Sequence, residues 1–127
     1  MSNSISLPLP ADSHIMITGF TNTGGWGEQI TIQPPGGNKL TWSSTGPANN
    51  KVVGQTSIGP FPQQGSQLTV AMAFDSGRGF QPSAVLADSF NIPGMSGYVV
   101  GGQDGGGRPK GPAYWNTLVL IYWAAGY

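Results

Sequence analysis

The sequence has little of what most covalent and electrostatic chemistry needs. Its 127 residues include no cysteine, one histidine and only 8% charged residues, with a formal net charge of zero. The lack of cysteine excludes disulfides and thiolate metal sites, and His14 alone cannot form a two-histidine metal site. Because the five basic residues are scattered, neither nucleic acid nor an anionic membrane is an expected partner.

Long apolar runs are also missing. No run is long enough to cross a membrane, so membrane insertion is not expected. Residues 1–10 lack the basic and apolar regions of a secretory signal. We therefore expect cytoplasmic synthesis, with any release or surface display by another route. The near-zero net charge weakens repulsion between copies and favours a homo-oligomer.

Glycine, proline and apolar residues are abundant. The chain has 21 glycines and 11 prolines, yet 38% of its residues are hydrophobic, which indicates a folded, turn-rich domain. Glycine and proline at this density interrupt helices and favour short strands. We predict one all-β domain over residues 1–127, an antiparallel β-sandwich of about eight or nine short strands, with a small barrel as the other arrangement that this pattern allows.

Alternation of apolar and polar residues locates the main strands. In residues 67–74, QLTVAMAF, Leu68, Val70, Met72 and Phe74 share one face and predict the strand that anchors the core. The runs EQITIQ and KLTWS flank PPGGN, which predicts a hairpin.

The C-terminal segment, Gly101–Tyr127, joins a glycine-rich loop over residues 101–113 to a strand over residues 114–123 that is apolar on both faces. Such a strand must be covered on two sides, because a free apolar edge aggregates. It lies either in the centre of the sandwich or against a partner subunit.

Catalytic patterns are missing from the sequence. No two acidic residues lie close in sequence, and no serine stands in a nucleophile elbow. Folding could bring two carboxylates together as a glycosidase pair, but nothing in the sequence indicates it. The segment GGGRPKGP lacks the G-K-[ST] of a phosphate loop. An enzyme is therefore not expected.

Both ends of the chain resemble one family. Residues 9–23, LPADSHIMITGFTNT, residues 100–105, VGGQDG, and residues 118–126, LVLIYWAAG, are similar to the opening and closing segments of the LecB-like bacterial calcium-dependent fucose- and mannose-binding lectins. The resemblance implies an antiparallel β-sandwich that forms a homodimer or higher homo-oligomer through its C-terminal strand. It also implies two calcium ions that the sugar hydroxyls ligate directly.

The resemblance assigns candidate ligand-binding residues in two segments. Asn22 stands where the family's first-loop asparagine holds calcium, and Thr23 and Gly24 occupy the adjoining positions that touch sugar. Gln103 replaces the first glutamate of the acidic loop, Asp104 keeps the following aspartate, and Asn116 lies near the position of the last aspartate.

The acidic loop itself departs from the family. Residues 106–112 read GGRPKGP where the family has several acidic residues, and Tyr127 extends past the glycine whose terminal carboxylate would act. Calcium takes six to eight oxygen ligands, mostly carboxylate when two ions are adjacent. We therefore predict that the two-calcium site is absent and that no metal or other cofactor is bound.

Two functions follow. In the first, the protein binds glycans without calcium: Trp26 and Trp115 stack on sugar rings, while Asn22, Asp104 and Asn116 accept hydrogen bonds from hydroxyls. In the alternative, a non-catalytic structural or self-assembling protein uses the lectin-like sandwich as a building block, which the low charge and the two-faced last strand favour.

Overall fold

A computed structural model describes residues 3–23, 25–104 and 116–125. Every regular element in these ranges is a β-strand, and none of the described residues forms a helix that could span a bilayer. The strands are β1 (Ser4–Leu9), β2 (Ile15–Thr23), β3 (Gly27–Gln33), β4 (Leu40–Ser44), β5 (Ala48–Ile58), β6 (Ser66–Asp75), β7 (Phe80–Pro82), β8 (Ala84–Ile92), β9 (Met95–Gln103) and β10 (Thr117–Ala124).

The strands form two antiparallel sheets packed as a sandwich. One sheet has the order β1-β6-β3-β4, with β7 added on β6, and the other has the order β5-β2-β10-β9-β8. The predicted all-β sandwich is confirmed. There are ten strands in the described ranges, rather than eight or nine, because the N-terminal lead-in pairs with β6 as β1 and Phe80–Pro82 adds a short strand.

Alternating residues of both sheets fill the core. On β6 the predicted set Leu68, Val70, Met72 and Phe74 is buried, as expected for the inner face of a sandwich. The rest of the core cluster comes from six further strands: Leu7, Leu9, Ile15, Ile17, Ile30, Ile32, Val85, Val100, Val119 and Ile121.

The predicted hairpin is β3–β4, and it carries Trp42 onto the opposite sheet. Gly19 and Gly54 are paired across β2 and β5. A methyl group on Gly54 would overlap the Trp42 indole, and one on Gly19 would lie 2.9 Å from Trp42 Cε3. The two glycines therefore make the space in which this ring packs between the sheets.

Strand β10 lies in the centre of its sheet, between β2 and β9. Val119 and Ile121 point into the core, whereas Leu118, Leu120 and Tyr122 are half-buried on the outer face. The loop predicted from residue 101 begins later, because residues 101–103 belong to β9: residues 101 and 102 pair with both neighbouring strands, and residue 103 pairs with β8. Residues 105–115, with the rest of that loop, lie outside the described residues.

The large hydrophobic residues that stay exposed fall into two sets among the described residues. Trp26 and Phe80 lie together beside the first loop. The others lie on the outer face of the β5-β2-β10-β9-β8 sheet: Met16, Val52, Leu86, Ile92 and Val99. We call this second set, together with Leu118, Leu120 and Tyr122, the outer apolar face.

Candidate functional site

The two segments singled out by the resemblance meet at one end of the sandwich. The backbone N–H of Asn22 donates to the carbonyl of Asn116 at 2.8 Å. The Asn116 side chain accepts a hydrogen bond from the backbone N–H of Asp104 at 3.1 Å and donates to the carbonyl of Asn22 at 3.5 Å. Asn116 thus joins the end of β2, the end of β9 and the start of β10.

The Asn22 side chain is directed to the neighbouring strand. Its Oδ1 accepts from the backbone N–H of Asn50 at 2.6 Å, where the register between β2 and β5 is irregular. Asn50 has a φ of 50°, which asparagine adopts more readily than most residues. Asn22 is buried, with 4% of its surface exposed. Its amide oxygen therefore stabilises the edge of the site.

Glu28 enters the same site from β3, although no feature of the resemblance includes it. Its side chain is fully buried, and Oε1 accepts from the Thr117 hydroxyl at 2.8 Å. The Glu28 and Asp104 carboxyls also share a hydrogen bond, and the Ser83 hydroxyl donates to Asp104 Oδ1 at 3.2 Å. We call these four residues the Glu28–Asp104 cluster.

Burial and hydrogen bonds control the charge of this cluster. Burial, followed by the hydrogen bond with Asp104, raises the pKa of Glu28 from 4.5 to about 9, against a lowering effect of Thr117. Burial also raises the pKa of Asp104, while the hydrogen bonds from Glu28 and Ser83 lower it. Glu28 Oε2 receives no hydrogen bond, and a proton on this carboxyl lets it donate to Asp104 instead. The pair therefore holds a proton at neutral pH.

Gln103 adds an unsatisfied amide next to the cluster. Only 1% of its surface is exposed, and neither Oε1 nor Nε2 has a hydrogen-bond partner among the described residues. A buried amide without partners costs free energy. The candidate residues Gln103 and Asp104 are thus both buried at the end of β9.

Trp26 lies on the neighbouring surface. Its ring stacks on Phe74, with centroids 5.4 Å apart and planes inclined by 20°, and 42% of its surface is exposed. Phe74 is also the cross-strand partner of Glu28, so the aromatic pair and the buried carboxyls are neighbours. Trp26 lines a cleft of about 360 Å³ together with Phe80, Asp75 and Thr45, which we call the Trp26 cleft.

The remaining candidates divide between described and undescribed residues. Thr23 is the last residue of β2 and pairs with Ala48. Gly24 and Trp115 lie outside the described residues. Glu28, Ser83 and Thr117 were missed as site residues. The sequence held one signal for Glu28. This residue shares the inward face of β3 with Ile30 and Ile32, where a charged side chain is unusual because it is shielded from solvent.

Residues 105–115 lie outside the described residues, and the residues that are described supply only part of the oxygen ligands that two calcium ions would need. Among these residues no group of three or more His, Cys, Asp or Glu side chains could hold a metal ion. Asn22 Oδ1 and Asn116 Oδ1 already accept backbone hydrogen bonds, and the proton on Glu28 reduces the negative charge. Two adjacent calcium ions require several ionised carboxylates.

The fold is that of the bacterial LecB-like lectins, which confirms the structural resemblance predicted from the chain ends. The chain aligns with the Ralstonia solanacearum high-affinity mannose-binding lectin at a TM-score of 0.68 and 18% identity, covering 95% of this chain and 96% of that one. A Chromobacterium violaceum lectin, solved in complex with alpha-methyl-fucoside, gives the same TM-score, identity and coverage.

A third solved structure with this fold is the C-terminal domain of a Burkholderia cenocepacia lectin. It aligns at a TM-score of 0.69 and 18% identity, covering 99% of this chain and 100% of that one. No protein-family model matches the sequence, and no curated protein matches it either. At this level of identity the likeness concerns the fold.

Proposed function

We propose that this protein is a lectin that binds neutral glycans at the Trp26 cleft, without the two calcium ions of the LecB-like lectins. The observation that carries the proposal is Trp26, a large aromatic ring that stacks on Phe74, is 42% exposed and lines a cleft. The face of an aromatic ring carries partial negative charge and attracts C–H groups. A pyranose sugar presents such C–H groups on one face of its ring.

Polar groups around the Trp26 ring would fix the orientation of a bound sugar, which stacking alone does not do. Asp75 and Thr45 line the same cleft and offer acceptors for sugar hydroxyls. Asp75 Oδ1 also accepts from the backbone N–H groups of Gly77 and Gly79, at 2.8 and 3.0 Å, which fixes the carboxylate. The three solved structures named above are lectins, of which one is a high-affinity mannose-binding lectin and one was solved with bound alpha-methyl-fucoside.

The absence of calcium is part of the proposal and has its own test. It rests on the residues 106–112, GGRPKGP, and on the neutralised Glu28–Asp104 pair. Calorimetric titration with calcium should give no tight binding at the site. Tight binding of two ions per chain would overturn it.

Catalysis does not fit the carboxyl pair. A glycosidase needs two carboxyl groups about 5 to 9.5 Å apart with the sugar between them. Glu28 and Asp104 are hydrogen-bonded to each other and are 0% and 7% exposed, so no substrate bond fits between them. The proposed activity is therefore binding alone.

Substitution of Trp26 tests the binding site directly. Trp26→Ala should weaken glycan binding by about thirtyfold, the loss typical of a tryptophan that anchors an interface. The matched control is Leu86→Ala, which removes an exposed apolar side chain from the other sheet. Equal binding by wild type and Trp26→Ala, or no binding to any glycan on an array, would contradict the proposal.

A second candidate function is self-assembly, and the outer apolar face favours it. This face carries five exposed and three half-buried large apolar side chains on one sheet surface, and contiguous exposed apolar patches mark contact sites. Light scattering over a range of concentrations separates the functions. A lectin should stop at a dimer or another defined oligomer formed through β10, whereas an assembly protein should grow with concentration.

A further inference from the structure

A second cleft among the described residues lies away from the candidate site. It has a volume of about 430 Å³ and is lined by residues of β8, β9 and β10, among them Ser89, Asn91, Ser96, Tyr98 and Trp123. Along β9, Ser96 and Gln103 stand roughly 23 Å apart at the ordinary rise of a strand. We call this region the Trp123 cleft; it lies at the other end of β9 from the Glu28–Asp104 cluster.

Two aromatic side chains form one wall of this cleft. The rings of Tyr98 and Trp123 have centroids 5.7 Å apart and are inclined by 59°. The Tyr98 hydroxyl donates to the carbonyl of Pro8 at 2.7 Å, which ties β9 to β1 in the opposite sheet. Both side chains are half-buried. The wall is therefore held in place before any ligand arrives.

Short polar side chains lie beside this wall, because Ser96 is the cross-strand partner of Trp123 and Ser89 is the partner of Tyr98. The Ser96 hydroxyl donates to Asn91 Oδ1 at 2.7 Å, a bond that does not involve the two N–H donors of the Asn91 amide. The Ser89 hydroxyl, on β8 like Asn91, adds a further donor and acceptor. None of the described residues that line the cleft carries a charge.

We propose that the Trp123 cleft is a second carbohydrate site, which takes a neutral pyranose residue. The C–H face of the sugar stacks on Trp123, and its hydroxyls exchange hydrogen bonds with Asn91, Ser96 and Ser89. A neutral, polyhydroxylated ligand matches a cleft that combines aromatic rings with uncharged donors and acceptors. The volume is at the small end of ligand sites and suits one or two sugar residues.

An NMR titration with methyl glycosides locates binding directly. Methyl α-mannoside, α-fucoside and β-galactoside, each added to millimolar concentration, should shift the amide signals of residues 89–98 and the Trp123 indole signal saturably. The variant Asn91→Ala/Ser96→Ala changes two accessible polar residues and should weaken this binding by roughly fivefold for each hydrogen bond lost.

Two controls separate this site from the Trp26 cleft. Thr41→Ala alters an exposed residue of β4 in the other sheet and should leave the affinity unchanged. Trp26→Ala should also leave the shifts at residues 89–98 unchanged. Shifts confined to the Trp26 cleft would support the proposed function and overturn the second site.

The reverse pattern would have the opposite meaning. Shifts at residues 89–98 alone would support the second site and overturn the Trp26 cleft. If no glycoside shifts residues 89–98, or if Asn91→Ala/Ser96→Ala binds as tightly as wild type, the second site is overturned.

Discussion

Glu28 and Asp104, on β3 and at the end of β9, share a hydrogen bond between two buried carboxyl groups. A pair of this kind is stable only with a proton between the groups, because two buried like charges repel and neither is solvated. Asp104, which the resemblance connects with the acidic loop, therefore lies in an internal contact between the two sheets that holds a proton. This relationship makes the stability of the protein depend on pH.

The pH dependence has a definite sign. The folded-state pKa of Glu28 is about 9, above its usual 4.5, so the folded protein holds a proton that the unfolded chain releases. The stabilisation is complete below pH 4.5 and is lost as the pH rises toward 9. We expect the free energy of unfolding to fall across this window with a slope of up to about 1.4 kcal/mol per pH unit.

Glu28→Gln should remove much of this slope. The glutamine Oε1 can still accept from Thr117, and its amide N–H can donate to Asp104 as the protonated carboxyl does. Denaturant unfolding at several pH values should show the variant gaining stability relative to wild type as the pH rises. Asp88→Asn, on the exposed part of β8, is the control and should keep the wild-type slope. An unchanged slope in Glu28→Gln would contradict the assigned proton.

Gly54→Ala should destabilise the fold through Trp42. The added methyl group would overlap the indole, and displacing a packed side chain typically costs about 1 to 3 kcal/mol. Gly27→Ala is the matched control, because a methyl group there meets its nearest atom at 3.4 Å, an ordinary contact. Chemical denaturation should therefore separate the two variants. Equal stabilities would show that the Trp42 ring is not held by this glycine pair.

Val99→Lys should weaken the proposed association of subunits through the outer apolar face. Val99 is 42% exposed and is the cross-strand partner of Leu120 on β10, so a lysine there would require burial of a charge in the contact. Ser43→Lys places the same charge on exposed β4 in the other sheet and serves as control. Light scattering should show a smaller particle only for Val99→Lys. A monomeric wild type would contradict the proposed contact.

Much of the fold was predictable because it follows from periodicity. The alternation in β6 gave its buried face, and the two alternating runs around PPGGN gave the β3–β4 hairpin. The strand β1 was harder to predict, because Pro8 and Pro10 mark an extended segment without indicating a partner. Its pairing with β6 depends on contacts between distant parts of the chain.

The site was predictable only in part. The resemblance gave Asn22, Asp104 and Asn116, which the structure brings together by hydrogen bonds. Glu28 was missed, because no spacing in the sequence relates it to Asp104, and the two meet only when the sheets stack. The burial of Gln103 was also not predicted, since a glycine-rich context favours an exposed loop, whereas this residue extends β9 and pairs with Ala84 of β8.

Measurement of glycan affinity in calcium and in chelator tests the central claim most directly. A glycan identified on an array would be titrated into the wild-type protein by calorimetry, first with excess calcium and then with excess EDTA. We predict the same affinity in both buffers, because the Trp26 cleft binds sugar through stacking and protein hydrogen bonds. Loss of binding in EDTA and its return with calcium would contradict this account.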